Sequence, residues 1–360
     1  MKKSIFAVCD LEASYAYNLM EYFYEKKGAS FEIQAFTGVK SFISFAKEQD
    51  IDLLLISTQA MCDEVKELSI GRIMILSEGE LMEELSEYPA IYKYQASDSL
   101  IAEVMNHYAA EIAPCPQALL KKKVELLGIY SPIKRVLKTS FALTLGQILA
   151  KEKAVLYINL EDYAGFESLM GKEFQSNISD LMYFAKLESN NLVYKLSSMV
   201  HSLNNLDYIP PVFSPQDIRS VTLKEWLMLL EQIQMYSTYD TVIIDFGDQV
   251  DELYEFMNKC DRIYLPVRGD SVSTAKLEQY ESVLRTGEYE GILDKTKKLK
   301  LPFHNNFGTR ECYVEQLIWG ELGDFVRKLI REEAKNEGEG TADSRLAGRT
   351  FGMHQPDDGS

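Results

Sequence analysis

The residues best suited to chemistry are Lys138, Thr139 and Ser140. They stand where an apolar run, Val124 to Tyr130, passes through a short loop into a helical pattern with Phe141, Leu145, Ile148 and Leu149 on one face. A strand, a loop and a helix entered at Lys-Thr is an arrangement that holds phosphate. The lysine reaches the β- and γ-phosphates, the hydroxyl residue ligates Mg²⁺, and the helix N-terminus faces the negative charge. Lys134 and Arg135, inside the loop, offer two further cations for phosphate. Two carboxylates downstream complete the set. Asp245 closes the run Tyr239-Asp240-Thr241-Val242-Ile243-Ile244. Glu161 closes the run Val155 to Leu160. The plainer alternative for Asp245 is a strand-end residue capping the next turn.

The loop departs from the strict phosphate-loop pattern because it has no glycine. Ile133-Lys134-Arg135-Val136-Leu137-Lys138-Thr139-Ser140 aligns on Lys138 with the K-G-G-x-G-K-T-T pattern of the MinD and ParA ATPases and the TadZ/CpaE pilus-assembly proteins. Ile133 takes the place of the signature lysine, and Lys134, Arg135 and Leu137 take the places of the glycines. A non-glycine residue forced to φ > 0 costs about 1–2 kcal/mol, and side chains crowd the approach of phosphate to backbone.

Further segments follow in the order found in that family. Tyr157-Ile158-Asn159-Leu160-Glu161 resembles its strand ending in D-x-D, with Asn159 for the first acid and Glu161 for the second. Asn177 to Met182 resembles "LSDLL", and Leu206 to Pro211 resembles "L-x-x-L-P". Tyr239 to Asp245 resembles the Walker B strand "YDYVIID", and Cys260 to Val267 resembles "ADRVLVV". Residues 124–332 thus resemble a MinD/ParA-type P-loop ATPase domain. The resemblance implies ATP and Mg²⁺ as cofactors and a homodimer that sandwiches nucleotide. It implies catalytic roles for Glu161 and Asp245 and phosphate contacts from Lys134, Arg135, Lys138, Thr139 and Ser140, with Thr139 and Asp245 on the metal side. The missing glycines and Asn159 point to a slow ATPase at best. They leave open a second reading, a pseudo-ATPase adaptor that binds no nucleotide. In the loop Pro302 to Gly308, Phe303 and His304 stand where relatives hold the base.

The first 112 residues alternate apolar runs with helical patterns. Runs at Ile5–Cys9, Phe31–Ala35, Ile51–Ile56, Arg72–Leu76 and Ile91–Tyr94 read as strands. Ala13–Tyr24, Phe42–Lys47 and Ser99–Tyr108 read as helices. Strands alternating with helices form a parallel sheet covered on both faces. The order resembles a response-regulator receiver domain. Asp10 and Glu12 stand for the acidic pair, Ser77 for the hydroxyl residue and Lys93 for the lysine. Ser57 stands where the phospho-accepting Asp belongs, which implies a pseudo-receiver used for contacts and opposes a phosphorelay role. Asp10 and Glu12 read equally well as caps of the first helix.

The fold expected is therefore α/β, with two doubly wound parallel-sheet domains. The receiver-like one spans 1–112 and the P-loop NTPase-like one 124–332. Pro114 and Pro116 mark 113–123 as a linker, and Lys121 to Lys123 read as a solvated approach to the next strand. The Gly-, Glu- and Ser-rich stretch 333–360 is expected to be disordered. Trp226 and Trp319 are expected in the core. Phe325 to Arg331 is expected as a terminal helix packed on the sheet rather than on a membrane.

A chain of 360 residues with 46% hydrophobic residues has the material for two cores. Its net charge of −17 opposes attraction to DNA or anionic lipid, so no specific nucleic acid is expected as a partner. Five scattered cysteines and four scattered histidines give neither disulfide nor metal spacing. Neither a signal-peptide core nor an apolar run of about 18 residues occurs. These features imply a cytoplasmic protein with no integral membrane segment. The pairing of a receiver-like with a MinD-like half is that of the TadZ/CpaE proteins. This implies a localisation or assembly factor that docks on pilus or secretion machinery, with a polar address.

Overall fold

The computed structural model describes residues 4–25, 31–79, 83–111, 123–186, 192–302 and 312–347. The proposed linker except Lys123, the loop carrying Phe303 and His304, and residues 348–360 lie outside them.

Apolar residues on both faces of each strand build the first sheet. In β1 (Ser4–Cys9), Phe6 and Val8 enter one core while Ile5, Ala7 and Cys9 enter the other. The chain continues through α1 (Ala13–Glu25), β2 (Phe31–Phe36), α2 (Val39–Ala46), β3 (Leu53–Ser57), α3 (Asp63–Lys66), β4 (Ile73–Ser77), β5 (Ala90–Tyr92) and α4 (Ser97–Glu111). The five strands are parallel in the order β2-β1-β3-β4-β5. This doubly wound order carries its functional crevice at the carboxyl ends of the strands.

The second sheet follows the same logic on a larger scale. Its elements are β6 (Glu125–Ile129), α5 (Lys138–Leu149), β7 (Val155–Leu160), α6 (Phe166–Met170), α7 (Ile178–Lys186), α8 (Leu192–Met199), β8 (His201–Leu203), β9 (Leu206–Ile209), α9 (Pro215–Arg219), α10 (Leu223–Tyr236), β10 (Thr241–Phe246), α11 (Leu253–Met257), β11 (Arg262–Pro266), α12 (Ser271–Thr286), α13 (Glu290–Asp294), β12 (Thr296–Leu299), α14 (Tyr313–Gln316) and α15 (Glu321–Ala347). The strand order is β12-β11-β6-β10-β7-β9-β8, with β8 antiparallel to β9 and the other pairs parallel. Asn204 and Asn205 join β8 to β9 with φ of 48° and 66°, the left-handed pair that a tight hairpin needs. Helix α10 starts at a reciprocal cap, in which Thr222 accepts from the Glu225 amide and Glu225 accepts from the Thr222 amide.

Two expectations fail here. Trp226 is buried, but Trp319 is 73% exposed, with Lys151 Nζ 5.6 Å from its ring centroid. A large apolar residue is free to sit at the surface when a cation covers its face. The terminal helix also does not stop at residue 332. Glu333, expected in a disordered tail, accepts from Arg262 at 2.6 Å, Tyr264 at 2.6 Å and Lys297 at 3.0 Å. Three donors on one carboxylate fix the helix against β11 and β12, and it runs on to Ala347. Earlier in α15, Leu322, Val326 and Leu329 share a core with Phe141 and Leu145 of α5. Among the described residues, no helix is long and apolar enough to cross a membrane.

Candidate functional site

The site lies at the carboxyl ends of β6, β7 and β10. Strand alternation decides which side chains meet there. Val242, Ile244 and Phe246 enter one core and Ile243 the other, so Asp245 points to the face covered by α5. Val155 and Tyr157 point to the same face, and Asn159 follows at the next even step. Asp245 is in register with both Ile129 and Asn159. Immediately beyond it, the Gly247 amide donates to Leu160 O at 3.1 Å. A Cβ there would stand 2.3 Å from that same oxygen, so only glycine permits the approach.

The loop after β6 is pinned at several points. The Tyr130 amide donates to Tyr264 O at 3.1 Å. Ser131 Oγ donates to Pro266 O at 2.8 Å and accepts from the Ile133 amide at 3.1 Å. Ile133 and Val136 are buried. Ile133, at the signature-lysine position, is thus an anchor of the loop. Lys134 pairs with Asp248 at 2.6 Å, and Tyr130 OH donates to the same carboxylate at 3.3 Å. Arg135 and Leu137 have φ of 59° and 60°. Two of the three positions that are glycine in the pattern therefore keep a glycine-like conformation with side chains attached. Leu137 is the residue before α5 and gives its first amides no side-chain cap, so the amides of the first turn stay available to an anion.

Lys138 is 10% exposed and is held by three oxygens. Its Nζ lies 2.6 Å from Glu161 Oε1 and 2.7 Å from Asp245 Oδ1, and it donates to Phe246 O. Burial pushes its pKa down, but the two carboxylates more than offset this, and the net direction is up. Asp245 is fully buried. Its Oδ2 accepts from Tyr157 OH at 3.0 Å and from Asn159 Nδ2 at 3.4 Å. Asn159 also donates to Tyr157 OH at 2.8 Å and accepts from the Glu161 amide at 2.9 Å. Burial, then the charge of Asp245, pushes the Tyr157 phenol well above its ordinary range, so it is a neutral donor at any ordinary pH.

Lys138, Glu161 and Asp245 are thus brought into one ion cage. Lys134 and Arg135 lie on the exposed side of the loop. Ser140 is drawn elsewhere, its Oγ 3.0 Å from Tyr313 OH. Thr139 is half-buried on the first turn of α5. Tyr157 was not anticipated. The signal for it was a hydroxyl-bearing residue at a core position of a strand, which must find a partner when buried.

A second polar cluster closes the crevice of the first sheet. Lys93 is 2% exposed, and its Nζ lies 2.9 Å from Asp10, 3.1 Å from Glu12 and 3.4 Å from Glu78. Tyr15 OH donates to Lys93 O at 3.0 Å. Asp10 accepts from the Glu12 amide at 2.8 Å, so it shapes the turn into α1 as well as pairing with Lys93. Ser57 and Ser77 are buried at the ends of β3 and β4. Burial pushes the Lys93 pKa down, the bonds to Asp10 and Glu12 push it up, and the net is upward.

No protein-family model matches the chain, and no curated protein does. Among solved structures it is similar to the ParA family ATPase of Chlorobium tepidum TLS, at 14% identity over 56% of this chain and 96% of that one, with a TM-score of 0.46. It is similar to a plasmid partition protein of Borrelia burgdorferi B31 bound to AMPPNP, at 18% identity over 55% and 81%, with a TM-score of 0.39. It is also similar to cobyrinic acid a,c-diamide synthase of Mycobacterium smegmatis, at 11% identity over 55% and 80%, with a TM-score of 0.39.

Proposed function

We propose that this chain is a localisation or assembly factor of the MinD/ParA kind, in which a degenerate phosphate loop binds ATP as a switch and turns it over slowly or not at all. The observation that carries this reading is the backbone of the loop. Two left-handed non-glycine residues together cost about 2–4 kcal/mol, and such strain persists where the surroundings impose it and clusters at functional sites. Packing of Ile133 and Val136 and the bonds of Ser131 impose it here.

The donor chemistry suits a polyphosphate. Lys134 and Arg135 would pair with phosphate oxygens through their side chains, the first amides of α5 would donate to them, and Lys138 would leave Glu161 for the terminal phosphates. Mg²⁺ would be held by Thr139 and, through water, by Asp245, and would supply neutralising charge between the phosphates. Tyr157 and Asn159 keep two neutral donors on Asp245 as Lys138 departs, which limits the cost of exposing a buried carboxylate to an unpaired state. Glu161, released by Lys138, is the group left to orient a water. Asn159 supplies hydrogen bonds without charge, consistent with little hydrolysis.

The homodimer, the pilus or secretion partners and the polar address belong to the TadZ/CpaE resemblance and stand as part of this proposal. So do the pseudo-receiver role of the first unit and the domain boundaries at 112 and 124. A second reading has its own observation. Lys138 has three protein oxygens as partners, as a pseudo-ATPase adaptor would have it. Sedimentation velocity with and without Mg-ATP tests the switch. A nucleotide-dependent shift from monomer to dimer supports it. An unchanged sedimentation coefficient at saturating ATP removes the switch and favours the adaptor.

A further inference from the structure

Helix α8 has two working faces. Leu192, Leu196 and Met199, spaced i, i+4 and i+7, enter the core of the second sheet beside α7 and α10. Tyr194, two residues on from Leu192 and so about 200° around the helix, enters the core of the first sheet instead. It is 4% exposed. Its ring lies 4.8 Å from Tyr108 of α4, edge-on, and 5.7 Å from Phe31 of β2. The next residue reinforces the contact, with Lys195 Nζ 2.9 Å from Asn106 Oδ1 and 4.8 Å from the Phe184 ring centroid in α7. Phe31 and Tyr108 also meet each other at 5.3 Å. Tyr194 therefore completes an aromatic cluster that the first unit cannot close alone. Helix α7, which precedes α8, is tied to the site edge of the second sheet, because the Ile178 amide donates to Pro210 O at 2.9 Å, just beyond β9.

We propose that α8 is a built-in docking helix, with Tyr194 as its anchor, and that it holds the receiver-like unit as a fixed body on the P-loop-like unit of the same chain. The first unit is then not a tethered module. Its surface on α4 and around Phe31 is spent on α8 and closed to other partners. None of these contacts involves the phosphate loop.

Hydrogen exchange on the full chain tests this with two reciprocal variants. Tyr194→Ala, in the second unit, is expected to raise exchange at least tenfold in residues 31–36 and 100–108 of the first. Phe31→Leu, in the first unit, is expected to raise exchange in residues 192–199 of the second. Unchanged exchange across the contact in a folded Tyr194→Ala protein overturns the proposal. If that variant does not fold, Phe31→Leu decides alone, and exchange in 192–199 equal to wild type overturns it. Light scattering identifies the owner of the helix. A mass near 41.1 kDa with concentration-independent protection of 100–108 fits docking within one chain. Twice that mass, with protection lost on dilution, places α8 on a second copy and overturns the intrachain form.

Discussion

Replacing Arg135 by glycine tests the strained loop by the sign of its effect. Arg135 is exposed, with φ of 59°. Relief of a left-handed non-glycine residue returns about 1–2 kcal/mol. The greater freedom of glycine in the unfolded chain takes back about 0.4–1 kcal/mol. Arg135→Gly is therefore expected to stabilise the second unit by roughly 0.5–1 kcal/mol. Lys134→Gly is the internal control, because Lys134 is not among the left-handed residues. It gains no relief, loses the exposed pair with Asp248 and should destabilise by about 1 kcal/mol. Urea unfolding followed by far-UV circular dichroism reads both, and the informative quantity is their difference in midpoint at constant slope. If Arg135→Gly destabilises as much as Lys134→Gly, the loop stores no strain and the principal support for a retained phosphate-binding conformation is gone.

Other perturbations separate the remaining parts of the account. Lys138→Ala leaves Asp245 and Glu161 facing each other in a largely buried site and should cost about 3 kcal/mol, the lower end for a broken buried pair because Glu161 is partly exposed; a loss under 1 kcal/mol in thermal or urea unfolding would argue against the cage. The folded pKa values of Lys93 and Lys138 lie above the ordinary 10.5. Their contribution is thus complete below pH 10.5 and lost as pH rises through the folded values, and melting temperatures should hold from pH 7 to about 10 and fall beyond. A decline already under way at pH 8 contradicts that sign. Glu333→Gln weakens three charge-assisted or phenolic bonds and should destabilise by about 2 kcal/mol, read by urea unfolding; no change would mean that α15 is held by its apolar face alone. Treatment with acetyl phosphate followed by intact mass should give no adduct, since Ser57 replaces the acceptor carboxylate and Lys93 is already neutralised by Asp10, Glu12 and Glu78; a gain of one phosphoryl group refutes the pseudo-receiver reading.

The strands and their faces were legible because buried parallel strands leave apolar runs. The segments Leu53–Ser57 and Thr241–Phe246 carry that signal whatever surrounds them. The grouping of Lys138, Glu161 and Asp245 was legible from strand ends and the loop-to-helix transition. Arg135 and Leu137 were legible as glycine positions of the pattern, but not by residue type as left-handed, since neither favours φ > 0 and it is the packing of Ile133 and Val136 with the bonds of Ser131 that imposes it. Tyr157 looked like an aromatic core residue, and its bond to Asp245 depends on the pairing of β7 with β10. Glu333 looked like part of a polar tail, because its three donors come from β11 and β12, more than thirty residues earlier. Tyr194 contributes to a core almost ninety residues away from Tyr108, and nothing local signals that.

The most direct test of the central claim is calorimetric titration of Mg-ATP into the full chain, with Lys138→Met/Glu161→Gln as the control that removes one charge of each sign from the cage. Saturable one-site binding in the wild type, weakened at least tenfold in the double variant, is the predicted result. No heat of binding at millimolar ATP would contradict the claim, leaving a P-loop-like fold whose lysine serves only to hold its own carboxylates together.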